Sequence, residues 1–163
     1  MRRTRLSWLL VAVLLCSGCG YSSRSLIDER YRTVYVKTFD NLTFYRGFEF
    51  ELSRALVNEI NAKTHLRIVP MNQAQTLLEG RIVGFKQNVL TEDVDDNVRE
   101  LEITLVVDMT WTDLATNRQL RKVNSFTETA QAKFDIGENL ESATAEAFAD
   151  IAERLVNELE AEW

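Results

Sequence analysis

The chain of 163 residues contains few of the residue types on which enzyme active sites are built. It has one histidine, two cysteines and six glycines, with no Cys/His cluster at metal-ligand spacing and no glycine-rich phosphate loop. No thiol or second base accompanies the single histidine, His65, so a helix-end or surface role is favoured over catalysis. These absences favour a protein that is not an enzyme.

Basic residues and prolines are also scarce. The sequence has 19 Lys and Arg against 25 Asp and Glu, a net charge of −6. An acidic domain disfavours duplex nucleic acid as a partner, because binding to its phosphates requires a basic face. A single proline and the lack of repeats or low-complexity tracts give no sign of an internal boundary, so residues 32–163 are expected to form one domain.

The longest apolar segment, residues 6–15, is too short for a membrane span, which needs about 20 apolar residues. Three arginines precede it, and the small residues Ser17 and Gly18 follow it, directly before Cys19. This order is typical of a secretory signal with a cleavage site. We therefore expect residues 1–18 to be a cleaved signal peptide rather than a transmembrane anchor.

The cleavage region resembles a bacterial lipoprotein signal, in which the cysteine is acylated and becomes the new N-terminus. Cys16 occupies the position where such signals usually carry leucine, and it is a poorer acylation site because Leu14 and Leu15 are bulky. We predict a covalent lipid on Cys19, no other cofactor, and a lipidated tether over residues 19–31. Two or more acyl chains anchor a protein stably. Gly20 in place of aspartate favours the outer membrane.

Cleavage would remove three arginines, lowering the basic count from 19 to 16 and the net charge to about −9. Cys19 would be the one remaining cysteine, so no disulfide could form within the mature chain.

The hydrophobic pattern begins with a strand, a helix and a strand. Residues 33–39 are β-branched and aromatic, residues 46–62 have helical periodicity, and residues 66–69 end before Pro70. The helical stripe comprises Phe44, Phe48, Leu52, Leu56 and Ile60. A right-handed crossover would make the two strands parallel.

From residue 76 the pattern is that of an antiparallel meander followed by a long helix. Residues 101–111 alternate between apolar and mostly polar side chains, a turn is expected at residues 113–118, and a return strand at 119–130. Residues 140–161 form a second amphipathic helix. The predicted fold class is α/β (α+β): a two-layer sandwich with two amphipathic helices on one face of a mixed sheet, in the order β-α-β-β-β-β-α.

The tip of the first meander hairpin is acidic over residues 92–96. Asp93, Asp95 and Asn97 have the alternate spacing that opens a calcium-binding EF-hand loop, but Val98 and Thr104 replace the glycine and the glutamate that such a loop requires. A solvated hairpin end is the default interpretation, and weak Ca²⁺ binding is the alternative.

Five basic residues are candidates for contact with phosphate groups. Arg118, Arg121 and Lys122 cluster at and after one hairpin turn, Lys133 precedes the last helix, and Arg99 follows the acidic tip. Solvated surface charge is the usual role of such residues. Charge-assisted hydrogen bonds to phosphate are the functional alternative.

The sequence resembles the LptE family of outer-membrane lipopolysaccharide-assembly lipoproteins. The resemblance covers nearly the whole mature chain and rests on the order and spacing of short segments: Cys19-Gly20-Tyr21, Val34-Tyr35-Val36, Phe39-Asp40-Asn41, Glu51-Leu52-Ser53-Arg54-Ala55-Leu56, Leu78-Glu79-Gly80-Arg81-Ile82, the strand at 101–111 and Asp113-Leu114-Ala115-Thr116.

The resemblance implies a small α/β plug inside a large LptD-like β-barrel partner of the outer membrane. Such a protein helps the barrel to assemble and takes part in delivering lipopolysaccharide to the outer leaflet. It lies in the barrel lumen or faces the periplasm. The resemblance further implies basic residues for lipopolysaccharide phosphates before the last helix, where Lys133 stands, and at the first meander hairpin. That hairpin is acidic here, which is a departure from the family pattern.

Two other classes remain as alternatives. The first strand, the Phe-x-Asn segment and the helix also resemble parts of curli-export and Tol-type proteins, so a structural subunit of another envelope complex is the second hypothesis. An enzymatic or ligand-binding lipoprotein is the third, which the missing site chemistry disfavours. Co-purification of a large barrel would support the first hypothesis, and a ring-forming homo-oligomer the second.

Overall fold

The computed structural model describes residues 27–92, 98–133 and 140–160. Its strands are β1 (Thr33–Val36), β2 (Asp40–Asn41), β3 (Arg67–Ile68), β4 (Thr76–Glu92), β5 (Val98–Asp113) and β6 (Arg118–Lys133). Its helices are α1 (Phe48–Lys63) and α2 (Leu140–Glu160), with a short 3₁₀ helix at Met71–Gln73. The predicted fold class and element order are confirmed, with β2 as a short addition.

The described residues form one mixed sheet in the order β3-β1-β4-β5-β6, and β2 pairs with β4 beyond the end of β1. The predicted parallel crossover is present, since Thr33 pairs with Arg67 and Val34 with Ile68. The residue types of Asp40 and Asn41 are typical of a turn. These residues instead continue along the edge of β4 as β2, opposite Arg81 and Ile82, which satisfies backbone groups of both segments.

The core lies between the two helices and one face of the long meander. All six apolar residues of the alternating β5 pattern are buried, as are the central stripe residues of both helices. Both helices therefore cover the same sheet face. The β5 residues are Leu101, Ile103, Leu105, Val107, Met109 and Trp111, and the helix residues include Leu52, Leu56, Ile60, Ile151 and Leu155.

Two β-bulges change which residues face the core. Ile82 pairs with Val107 but Gly84 pairs with Val106, so Val83 is the extra residue. Strict alternation from Leu78 and Ile82 would place Phe85 on the opposite face. The bulge instead turns Phe85 toward the helices, and it packs on the core. In β6, Val107 of β5 pairs with Phe126 and Met109 with Val123. Strict alternation from Phe126 would place Val123 on the outer face, but the bulge brings it against the core.

The start of α1 also differs from the expectation. The helix begins at Phe48 rather than at residue 46, and Phe44, expected to open the apolar stripe, is fully exposed. The remaining members of the stripe hold their predicted positions. The chain between β2 and α1 thus belongs to a loop and not to the helix.

The ordered domain begins before residue 32. Ile27 and Tyr31 are buried in the core, and the ring of Tyr31 packs edge-on against Trp111 with centroids 6.0 Å apart. The last part of the expected 19–31 tether is therefore part of the folded domain. Cys19 and the predicted signal peptide lie outside the described residues. In the described ranges, no helix is long and apolar enough to cross a membrane.

Candidate functional site

The five basic residues predicted to meet phosphate lie at two opposite ends of the sheet. The anchor end carries the turn at residues 114–117 and the buried N-terminal residues, and the tip end carries Glu92, Val98 and Lys133. Thr110 pairs with Lys122 and Glu100 pairs with Lys133. Ten residues of extended β5 separate these two pairs, about 33 Å. The five residues therefore cannot contact a single phosphate group.

At the anchor end, Arg118 takes part in a contact that holds the N-terminal segment. Its guanidinium donates to the Tyr31 hydroxyl at 3.3 Å, and that hydroxyl donates to Asp113 Oδ2 at 3.4 Å. The Asp113 carboxyl accepts hydrogen bonds from the Thr116 hydroxyl and the Ala115 N–H. Both lower its pKa, and the bond from Thr116 has the larger effect. An ionised Asp113 thus joins the turn to Tyr31.

Arg121 and Lys122 point to opposite faces of the sheet, because adjacent strand residues alternate. Half-buried Arg121 pairs with Glu158 of α2 at 3.0 Å. Exposed Lys122 instead lines an open groove of about 250 Å³ on the outer sheet face, together with Asp40, Glu79 and Asp108. These carboxylates would repel a phosphate, so the predicted basic cluster does not form a common anion site.

The same groove contains an ion pair that crosses from β4 to β5. Arg81 Nε donates to Asp108 Oδ2 at 2.9 Å, while Asp108 Oδ1 accepts the Ser125 N–H at 2.7 Å. Both hydrogen bonds lower the pKa of the Asp108 carboxyl, and the bond from Ser125 has the larger effect. Asp108 therefore fixes the β6 bulge and compensates the charge of Arg81.

The tip end brings together the remaining two candidates. Lys133 is the last residue of β6 and stands opposite Glu100, and Arg99 directly precedes Glu100 on β5. The backbone thus places both basic residues at the same end of neighbouring strands. The calcium candidates Asp93, Asp95 and Asn97 lie outside the described residues.

His65 has the structural position that its sequence context favoured. Its Nε2 lies 2.9 Å from the carbonyl oxygen of Tyr31, so this ring nitrogen donates a hydrogen bond to the N-terminal segment.

Sequence reasoning missed an exposed apolar surface formed by the loop between β2 and α1 and by the first turn of α1. Leu42, Phe44 and Phe50 are 63%, 102% and 64% exposed. The sequence pattern placed Phe44 in the apolar stripe of the first helix. Leu42 lay between the predicted strand and that helix, with no assigned role. The Asp40-Asn41 pair was the available signal, because an asparagine side chain readily bonds its own loop backbone.

The side chain of Asn41 organises this loop. Its Oδ1 accepts from the Thr43 N–H at 2.9 Å and from the Thr43 hydroxyl at 2.7 Å, while its Nδ2 donates to the Tyr45 carbonyl and to Glu49. Glu49 also accepts the Gly47 N–H at 3.0 Å. The pKa of the Glu49 carboxyl is lowered, mainly by the hydrogen bond from Asn41. The charge of Arg46 contributes less.

Taken together, the fold and its charges define a small, acidic α+β domain with a polar outer sheet face and an ordered apolar loop. The sequence matches the profile of the LptE family, described as lipopolysaccharide-assembly, over residues 31–159. The chain belongs to the LptE family. A comparison with curated proteins gives no significant match.

Two solved structures are similar in fold. Uncharacterized lipoprotein B from Nitrosomonas europaea is 16% identical, with a TM-score of 0.50 over 80% of this chain and 83% of that protein. The hypothetical protein CT253 from Chlamydia trachomatis is 13% identical, with a TM-score of 0.51 over 81% of this chain and 99% of that protein. At these identities the likeness concerns the fold alone.

Proposed function

We propose that this protein is an outer-membrane lipoprotein that plugs a large LptD-like β-barrel, helps it to assemble and takes part in delivering lipopolysaccharide to the outer leaflet. The match to the lipopolysaccharide-assembly family over residues 31–159 carries the proposal. In this role the protein performs no catalysis. It binds the barrel protein, fills the barrel lumen and contacts lipopolysaccharide.

The lipid on Cys19 would hold the domain at the membrane. The order of arginines, apolar segment, small residues and cysteine supports this attachment. Because the domain is acidic, electrostatic binding of basic residues to anionic lipid would contribute little. Anchoring would therefore depend on the acyl chains, which are stable when two or more are present.

The outer sheet face suits the polar lumen of a β-barrel. This face includes hydrogen-bonded cross-strand pairs: the Thr104 and Thr129 hydroxyls lie 2.9 Å apart, and Asn88 donates to Glu102 at 3.0 Å. Arg81 and Asp108 are mutually compensated. Barrel lumens are polar, so such a face could pack there without leaving isolated charges. The strands of β4 to β6 have 16 or 17 residues, about 50 Å of length.

We place the contact with lipopolysaccharide at the tip end, on Lys133 and Arg99. Two of the other candidates are already engaged, since Arg118 contacts Tyr31 and Arg121 pairs with Glu158. The choice of Lys133 follows the family resemblance, which implies a basic residue before the last helix. Lys133 and Arg99 stand on adjacent strands at one end. Each could form a charge-assisted hydrogen bond with a phosphate group, on its own face of the sheet.

The experiment is depletion of the protein in its native organism, with complementation by wild-type and variant chains. We expect depletion to reduce lipopolysaccharide at the cell surface, and wild type to restore it. Lys133→Asp should restore barrel assembly while purified protein binds lipopolysaccharide more weakly, with a salt-sensitive loss. Arg67→Asp, at an exposed position on the edge strand β3, is the charge-matched control and should behave as wild type. Unchanged surface lipopolysaccharide on depletion would contradict the proposed function.

A further inference from the structure

Exposed apolar side chains are concentrated in one short segment. Of the seven large hydrophobic residues that are exposed in the described ranges, four lie within residues 42–50. Scattered exposed apolar residues are ordinary, but a concentrated apolar surface marks an interaction site. We call the side chains of Leu42, Phe44 and Phe50 the apolar loop surface.

The apolar loop surface is held in place by a hydrogen-bonded loop. Four bonds of the Asn41 side chain and one from the Gly47 N–H to Glu49 fix the backbone on both sides of Phe44. The Leu42 N–H donates to the Ile82 carbonyl at 2.9 Å, which fastens the start of the loop to β4. These bonds constrain the backbone that presents a fully exposed phenylalanine.

Aromatic packing beneath the loop gives further support. Tyr45 stacks on Phe48 with ring centroids 5.6 Å apart and contacts Phe85 at 4.3 Å. Phe48 in turn contacts Phe148 of α2 at 5.1 Å. The loop therefore rests on the core, and Phe44 projects from a rigid base.

The charges around the loop argue for a protein rather than a lipid as the occupant. Asp40 pairs with Lys37, Glu51 pairs with Arg54, and Glu49 binds within the loop. Arg46 acts on Glu49. Among the described residues, the surroundings of the loop therefore present no basic cluster for anionic headgroups, which recruit clustered lysines and arginines. A fixed shape also lowers the entropy cost of fitting a complementary pocket, whereas insertion into fluid lipid needs no fixed shape.

We propose that the apolar loop surface inserts into a hydrophobic socket on the barrel partner, with Phe44 as the central anchor. This inference rests on the proposed function, of which it names one contact. A few side chains in fully desolvated pockets contribute most of the binding energy of an interface, and aromatic residues, phenylalanine included, are enriched at interfaces. The socket would be lined by apolar side chains of the barrel protein.

The test uses the full-length lipoprotein, tagged and extracted with its partner in mild detergent. Phe44→Ser and Leu42→Ser should each accelerate the loss of barrel from the immobilised lipoprotein during washing at least about tenfold, as for loss of an interface anchor worth roughly 1.4 kcal/mol or more. Met71→Ser is the matched control, because Met71 is also exposed and apolar but lies in the 3₁₀ helix at Met71–Gln73. It should leave the rate of loss unchanged. The melting temperatures of all three variants should stay near wild type, since these side chains are exposed.

A second arm places the photo-crosslinking residue p-benzoylphenylalanine at position 44 in native membranes. A crosslink to the barrel protein, identified by mass, supports the inference, and an adduct with lipid or lipopolysaccharide instead overturns it. A wild-type rate of barrel loss from Phe44→Ser also overturns the inference while the proposed function stands. If wild-type protein recovers no barrel at all, the proposed function fails, and this inference fails with it.

Discussion

The ring of Phe39 lies directly over Gly80. A Cβ atom at position 80 would be 2.4 Å from Phe39 Cε1 and 2.5 Å from the Asp108 carbonyl oxygen. The side chain that covers this glycine comes from the segment between β1 and β2, and not from a helix. That segment is itself held by Ser53 of α1, whose hydroxyl accepts the Phe39 N–H at 2.9 Å.

Gly80→Ala should destabilise the domain strongly. The added methyl group meets a backbone oxygen that cannot turn away, so Phe39 and β5 must both shift, at a cost of about 1–3 kcal/mol or more. Gly84→Ala is the graded control, because its nearest neighbour is the Val106 side chain at 3.1 Å. Denaturant unfolding of the two variants measures the difference. An equal loss at both positions would show that the contact with Phe39 is not the constraint.

Leu105→Ala and Leu155→Ala should each lower the free energy of unfolding by about 2–5 kcal/mol. Both side chains are fully buried, one on β5 and one on α2, so truncation removes apolar contacts and leaves a cavity. Leu42→Ala serves as the exposed control, with an expected change within about 0.5 kcal/mol. Thermal or urea unfolding measures the change in unfolding free energy of all three variants. Losses below about 0.5 kcal/mol at both buried leucines would contradict the described packing of helix on sheet.

Asp108→Asn should reduce stability near neutral pH by about 1 kcal/mol. The folded protein lowers the pKa of the Asp108 carboxyl below its ordinary value of 3.8, through the Ser125 N–H and Arg81. The ionised group therefore stabilises the fold above its unfolded-state pKa, and this contribution is lost as the pH falls through the lower, folded-state pKa.

The difference in unfolding free energy between wild type and Asp108→Asn should accordingly shrink as the pH falls below about 4. Asp40→Asn is a suitable control, since Asp40 is an exposed carboxylate of the same groove. A difference that stays constant from pH 7 to pH 2 would show that the charge of Asp108 makes no such contribution.

Cys19→Ala should block lipidation, so that unprocessed precursor or released protein accumulates. The expectation follows from the signal pattern, which ends on this cysteine. Metabolic labelling with a clickable fatty acid, together with membrane fractionation, makes the measurement. Cys16→Ala is the control and should be labelled and anchored like wild type. Full acylation and membrane binding of Cys19→Ala would remove Cys19 as the lipid site.

The sequence was informative where a regular period coincides with burial. The alternation of β5 and the helical stripe that includes Leu155 correctly predicted buried faces. All apolar side chains of such a row lie on one face, and packing that face against the core removes them from water. The pattern failed at the bulges. One extra residue at Val83 reverses the facing of Phe85, and no local propensity marks that insertion.

The candidate site was harder to predict for a related reason. Arg121 and Lys122 are neighbours in sequence and therefore face opposite sides of a strand, and only the pairing register shows that Lys133 lies about 33 Å from Lys122. The apolar loop surface depends on the hydrogen bonds of Asn41, which periodicity does not encode. Phe44 continued the helical spacing of the stripe, yet the helix begins after it.

The central claim is that the domain fills a barrel, and extraction of native membranes with mild detergent tests it most directly. Obligate interfaces bury roughly 2,000 Å² or more, so moderate salt should not separate plug and barrel. The tagged lipoprotein should elute as a one-to-one complex with one large outer-membrane barrel protein, measured by light scattering and mass spectrometry. A monodisperse lipoprotein, or a ring of this chain alone, recovered without any barrel would contradict the account.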